Sequence, residues 1–153
     1  MGVEVARVDP ADDDARRCLS TYYAELAVRF DAGFDPTRQG VDDDAMRPPL
    51  GLLLLARLDG PAVACGALLF KAGLAKVKRM WVDPTVRGRG VGRTLLNALE
   101  AEAAAAGYDR VGLETNSALP EAISMYLNSG YVEVEPFDDE PYAERWFVKR
   151  LSA

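Results

Sequence analysis

Apolar and polar residues alternate over Val3-Glu4-Val5-Ala6-Arg7-Val8, the two-residue repeat of a half-buried strand. The period then changes. Leu19, Tyr22, Tyr23, Leu26 and Phe30 recur at three-to-four spacing, which predicts a helix that buries one stripe. Asp9 is the expected N-cap of that helix, Pro10 suits its first position, and Asp12 to Asp14 meet the positive end of its dipole. Residues 33–49 show no period and hold a second acid cluster, Asp42 to Asp44. Two strands follow, Leu52 to Arg57 and Ala62 to Phe70, with Asp59-Gly60 as the hairpin turn between them. A third strand, Ala75 to Val82, ends at Asp83-Pro84, where proline stops ladder donation.

A helix is expected from Gly90 to Ala106, with Leu95, Leu96 and Leu99 on its apolar side and Gly107 as its stop. Arg110 to Asn116 reads as a strand and Leu119 to Ser129 as a helix closed by Gly130. Tyr131 to Phe137 and Glu144 to Leu151 read as two final strands. This order predicts an α/β (α+β) fold: a mixed, mostly antiparallel sheet of about six to seven strands flanked by about four helices. All 153 residues fit one domain, 1–153, with no linker.

Composition narrows the chemistry. The chain has no histidine, which removes His-based triads, His-ligated zinc and imidazole acid–base catalysis. No metal site is expected. Cys18 and Cys65 are too few for a disulfide framework and read as small buried apolar groups in a reducing compartment. The longest apolar run, Leu50 to Ala56, is far short of the ~20 residues of a membrane helix. With no leader pattern at the N-terminus, a cytoplasmic protein without a membrane partner is expected.

The formal charge of −6 hides a basic island: residues 71–93 hold seven basic side chains and one acid, Asp83. A nucleic-acid surface normally makes the whole domain basic, so no nucleic-acid partner is expected. Two readings fit the island, a local anion site or a solvated strand face for which Lys71, Lys76 and Lys78 would serve. The glycines favour the first. Between strand and helix stands Val82-Asp83-Pro84-Thr85-Val86-Arg87-Gly88-Arg89-Gly90-Val91-Gly92-Arg93. Three alternate glycines let the backbone turn tightly and gather N–H groups at a helix N-terminus, bracketed by arginines: a diphosphate cradle. A dinucleotide fingerprint would need a further glycine where Arg93 or Leu95 stands, and a mononucleotide P-loop would need Gly-Lys-Ser/Thr.

Arg87-x-x-Gly90-x-Gly92 resembles the pyrophosphate signature of the GNAT superfamily of acyl-CoA-dependent N-acetyltransferases. Lys78 to Pro84, Leu113-Glu114-Thr115-Asn116, Ala122-Ile123-x-x-Tyr126 and Gly130-Tyr131 stand in the order and spacing of that family. The resemblance is strong from about residue 50 onward and weaker before residue 45. Residues 139–147 are similar to a bacterial subgroup sometimes fused to MarR-type regulators. The resemblance implies acetyl-CoA as co-substrate, its pantetheine arm on the backbone of Met80, Trp81 and Val82. It places the pyrophosphate on Arg87, Gly88, Arg89, Gly90, Val91, Gly92 and Arg93, with Asn116 as a further cofactor contact. An amine would attack directly, with no covalent enzyme intermediate.

By the same resemblance Tyr126 is the general acid for the departing thiolate; read from the residues alone it is a core aromatic on an amphipathic helix. Many members carry their base where Lys76 stands here, so Glu114 is the remaining candidate base, with a plain strand-end carboxylate as the other reading. Leu119 stands where many members place an asparagine. Asp138, Asp139 and Glu140 would line the acceptor pocket with Tyr22, Phe30 and Phe34 as apolar walls, which predicts a cationic or amino-acid-like amine acceptor. The exposed edge of the closing strands suggests a homodimer. A CoA-binding regulatory domain without turnover is the alternative function.

Overall fold

The computed structural model describes residues 2–151. Seven strands form one sheet: β1 (Val3–Val8), β2 (Gly51–Leu58), β3 (Ala62–Lys71), β4 (Leu74–Val82), β5 (Arg110–Thr115), β6 (Val132–Val134) and β7 (Arg145–Arg150). Their spatial order is β1-β2-β3-β4-β5-β7-β6. Neighbours are antiparallel except β4 and β5, which run parallel. Only that pair needs a crossover, and helix α2 (Val91–Ala105) supplies it.

The sheet divides the core in two. Along β2 every residue from Gly51 to Ala56 is buried, so no polar alternation is visible. The period of two survives as a division of partners: Leu52, Leu54 and Ala56 pack with Leu95, Leu96 and Leu99 of α2, while Leu53 and Leu55 pack with Ala15, Cys18 and Leu19 of helix α1 (Asp13–Arg29). Helices on both faces are why an antiparallel strand reads as a continuous apolar run. Cys18 and Cys65 are both free and buried in the α1-side cluster. Helix α3 (Pro120–Asn128) contributes Ile123 and Tyr126 to the α2-side cluster.

Two boundaries and the helix count differ from those read off the sequence. Helix α1 begins later than Asp9 implies, because Asp12 is its cap and accepts from Asp14 N (3.0 Å) and Ala15 N (3.2 Å). Asp9 instead closes a turn onto Asp12 N and pairs with Arg47 at 2.8 Å. The described residues hold three α-helices rather than about four, since the aperiodic stretch forms only two single 3-10 turns, Pro36–Gln39 and Asp44–Met46. Strand β6 covers three residues, much less than Tyr131 to Phe137, and Pro136 in the segment that follows has no N–H to extend the ladder.

Candidate active site

The parallel pair β4–β5 is joined at only two positions, Ala75 with Val111 and Lys76 with Gly112. Beyond them the strands separate, and β4 also slips against β3. Ala67 faces Lys78 and Cys65 faces Trp81, so Arg79 and Met80 have no paired residue. This is a β-bulge. Arg79 sits at φ +57, a left-handed conformation that a branched-off side chain adopts only when its surroundings enforce it. Those surroundings are specific. The guanidinium donates to Gln39 Oε1 and to Val41 O (3.2 Å), and it lies 4.9 Å over the Tyr23 ring. The 3-10 turn at Pro36–Gln39 therefore pins the bulge, and the bulge frees main chain at the gap.

Two cavities open at the gap. The larger, about 580 Å³, runs along Met80, Trp81 and Val82, under the glycine turn and against Met125 and Tyr126 of α3. At its far end α2 begins at Gly90, at φ +82, with no side-chain cap. The first N–H groups of α2 thus face a space bordered by Arg87 and Arg93. A Cβ at Gly88 or Gly90 would meet nothing within 4 Å, whereas one at Gly92 would come within 2.8 Å of Met125 Sδ and 3.2 Å of Val82 Cγ2. Arg87 donates through Nη2 to both Glu25 carboxylate oxygens (2.9 and 3.0 Å) and through Nε to Val82 O (3.0 Å). Arg93 donates to Asn128 O at 3.2 Å. Uncapped amides, an open glycine turn and two held guanidiniums fit a diphosphate.

The smaller cavity, about 70 Å³, lies between Val77 to Met80 of β4 and Glu114 and Thr115 at the end of β5. Tyr22, Leu26, Met80, Leu119, Ala122 and Tyr126 line both cavities. Phe30, Phe34 and Tyr142 form one wall, with the Phe34 and Tyr142 rings 4.7 Å apart. Tyr126 is 5% exposed, and its hydroxyl has no hydrogen-bond partner among the described residues. Burial, with the Glu114 charge adding to it, pushes that phenol well above the ordinary tyrosine value.

The opposite wall is ionic. Lys78 Nζ donates to Glu114 Oε1 (2.7 Å) and lies 3.1 Å from Glu140 Oε2; Lys76 Nζ donates to Asp138 and lies 3.3 Å from Glu114 Oε1. At 7% and 6% exposure, Lys76 and Lys78 are not a solvated strand face; only Lys71 is exposed. Burial works against the Lys76 charge, but Glu114 and Asp138 outweigh it and hold its pKa above the ordinary lysine value. Carboxylate oxygens of Glu114, Asp138 and Glu140 converge within 4.8 Å of one another, a grouping able to hold a cation, and the two ammonium groups already bring positive charge there. Burial acts against the Asp138 charge, yet the hydrogen bonds from Lys76 and Trp146 prevail and hold its carboxyl below the usual range. A depressed carboxyl stabilises the fold above its unfolded value, about 3.9, and stops doing so as pH falls through the folded value. Asp138→Asn should therefore lower stability to urea most at pH 6–7, with the difference from wild type closing below about pH 4.

Among the residues singled out in the sequence, Met80, Trp81, Val82, Arg87, Gly88, Gly90, Val91, Gly92 and Arg93 line the larger cavity, and Arg89 does not. Asn116 lines the smaller one, where it donates to Tyr142 O (3.0 Å) and accepts from Ala118 N (2.8 Å), so it orients the wall and is not a groove contact. Glu114, Tyr126, Tyr22, Phe30, Phe34 and Glu140 meet at the smaller cavity. Asp138 and Asp139 do not: the first is turned to Lys76 and Trp146, the second is exposed. With Lys78 and Arg79 also on its walls, the cavity is balanced in charge, which removes the ground for a purely cationic acceptor. Lys78, Arg79, Gln39 and Tyr142 were not readable as site residues. The one local signal was three basic residues, Lys76, Lys78 and Arg79, in an otherwise apolar strand.

The family model described as the acetyltransferase (GNAT) family matches residues 14–131. A protein of Azospirillum brasilense named IAA acetyltransferase is 33% identical over 137 residues, covering 88% of each chain. A Schizosaccharomyces pombe protein named as an N-acetyltransferase is 30% identical over 138 residues, 84% of this chain and 81% of its own. Among solved structures, an acyl-CoA N-acyltransferase from Klebsiella pneumoniae superposes with a TM-score of 0.77 at 26% identity, over 98% of both chains.

Proposed function

The chain belongs to the acetyltransferase (GNAT) family, and from that premise we propose that it moves an acetyl group from acetyl-CoA in the larger cavity to an amine in the smaller one, by direct attack. The observation that carries this reading is the shared lining. Met80 and Tyr126 border both spaces, so a thioester carbon at the end of the groove and an amine nitrogen in the cavity would face each other. Bound acetyl-CoA supplies the activated acyl carbon; the chain's own residues hold and discharge it.

Uncapped amides of α2 and the Arg87 and Arg93 guanidiniums hold the diphosphate. Main chain freed by the bulge at Met80 offers a donor where negative charge grows on the carbonyl oxygen. Tyr126 keeps its proton at every working pH and gives it to the departing sulfur. Glu114 Oε1 is occupied by two ammonium groups, while Oε2 is buried without a partner and accepts from the incoming amine. Release of free thiol from acetyl-CoA with mixed small amines tests this. Steady thiol release is expected, and binding of CoA with no release would favour the regulatory, non-turning-over alternative.

The groove makes a separate prediction. Arg87→Ala should weaken CoA by about tenfold, the scale of one charge-assisted hydrogen bond, with kcat little changed. Calorimetric titration with CoA measures it, and an unaltered Kd would remove Arg87 from the cradle.

A further inference from the structure

The acceptor cavity carries buried charge of both signs. Lys78 and Glu114 have side chains only 5% and 4% exposed, Glu140 13%, and Arg79 is 3% exposed overall. Three atoms among them are buried with no hydrogen bond: Glu114 Oε2 and Glu140 Oε2, both acceptors, and Arg79 Nε, a donor; of these, Glu140 Oε2 has a counter-charge close by, Lys78 Nζ at 3.1 Å. Lys78 has three N–H groups, of which one goes to Glu114 and one points toward Glu140, leaving a third. Buried polar groups in a folded protein are normally satisfied, so one cavity with an orphaned acceptor and orphaned donors is matched to a ligand with both. A plain ammonium would answer Glu114 but add positive charge beside Lys78 and Arg79. Size sets the second limit. A dry cavity of ~150 Å³ admits a benzene ring; at about 70 Å³ this one favours a head group of a few heavy atoms.

Resting on the acetyl-transfer reading of the site, we propose that the acceptor is a small zwitterion, an α-amino acid with a short side chain. Its amino group lies on Glu114 Oε2, and its carboxylate lies on the third N–H of Lys78 and on Arg79 Nε. In the transfer the amine nitrogen bonds to the acetyl carbon as the carbon–sulfur bond breaks. Of the two protons the ammonium loses, the balance leaves one on CoA as thiol, delivered through Tyr126, and one in solvent. The product is the N-acetyl amino acid.

The test is thiol release by the wild-type protein with matched sets: glycine, alanine and serine, each beside its carboxamide and its decarboxylated amine. We expect kcat/KM for each acid to exceed both partners by about tenfold or more, as for a site built to hydrogen-bond the missing group. The carboxamide has the less basic amine, so a preference for the acid over it cannot come from a larger free-amine fraction. A double variant, Lys78→Gln with Glu140→Gln, removes one charge of each sign and keeps the cluster's sum; in it the acid-to-amine ratio should fall toward one. Carboxamides or amines reacting as well as the acids would overturn the zwitterion assignment. So would a clear thermal upshift with CoA but no turnover of any acid, and both results leave acetyl transfer itself standing. Absence of any CoA-induced shift would instead fell the acetyltransferase reading, and this assignment with it.

Discussion

Replacement of Tyr126 by phenylalanine is expected to lower kcat by about 10²–10⁴-fold, the usual contribution of a positioned proton donor, with CoA affinity unchanged. The ring carries the packing: it lies 6.0 Å from Tyr131 and 6.3 Å from Phe147, and phenylalanine keeps both contacts. The hydroxyl carries none, since it makes no hydrogen bond among the described residues and Tyr126 borders both cavities. Its loss should therefore leave the melting temperature equal or slightly higher, which separates a chemical from a structural role. Burial and the Glu114 charge keep the phenol protonated above the ordinary value of about 10, so this acid produces no alkaline fall in kcat below that pH. Stopped-time thiol release beside calorimetric CoA binding makes the measurement. Unchanged kcat would return Tyr126 to the core.

The second large effect is on stability. Lys76 and Lys78 face Glu114, Asp138 and Glu140: two positive charges among three negative ones, most of them withdrawn from water. Lys78→Met leaves one ammonium for three carboxylates, with Glu140 no closer than 4.0 Å to Lys76. Breaking a buried pair from one side costs about 3–5 kcal/mol, because the remaining charge has no water to turn to. In a domain of this size that lowers the melting temperature by roughly 10 °C. Glu114→Gln removes a negative charge from a set that has one in excess, so it should cost much less. Combining Glu114→Gln with Lys78→Met should recover part of the loss, an interaction a double-mutant cycle in urea reads directly. Equal losses for the two single variants would mean that packing, not charge balance, governs the cluster.

The difference between these two sites explains what could be read from the chain. The glycine turn was legible because its chemistry is local: three glycines, three arginines and a helix start lie within residues 82–93, and the backbone geometry they need follows from residue type. Gly88 and Gly90 sit at φ +82, as such a turn requires. Helix α2 and strands β2 to β5 were legible for the same reason, α2 from its contiguous period and the strands as contiguous, mostly apolar runs bounded by turn residues. Asp9 misled as a cap because Asp12 stands three residues on, and Arg47, distant in sequence, claims Asp9.

What the chain by itself determined is thus the order of elements, the apolar stripes and the anion cradle at the start of α2, all set by interactions between near neighbours. Whether Lys76 and Lys78 face water or acid was decided only in three dimensions. It depends on β4 and β5 parting after two pairs, and on Asp138 and Glu140, some sixty residues on, arriving over the gap. A lysine's sequence neighbours say little about its burial, because burying it is tolerable only once distant carboxylates supply the charge that water gave up.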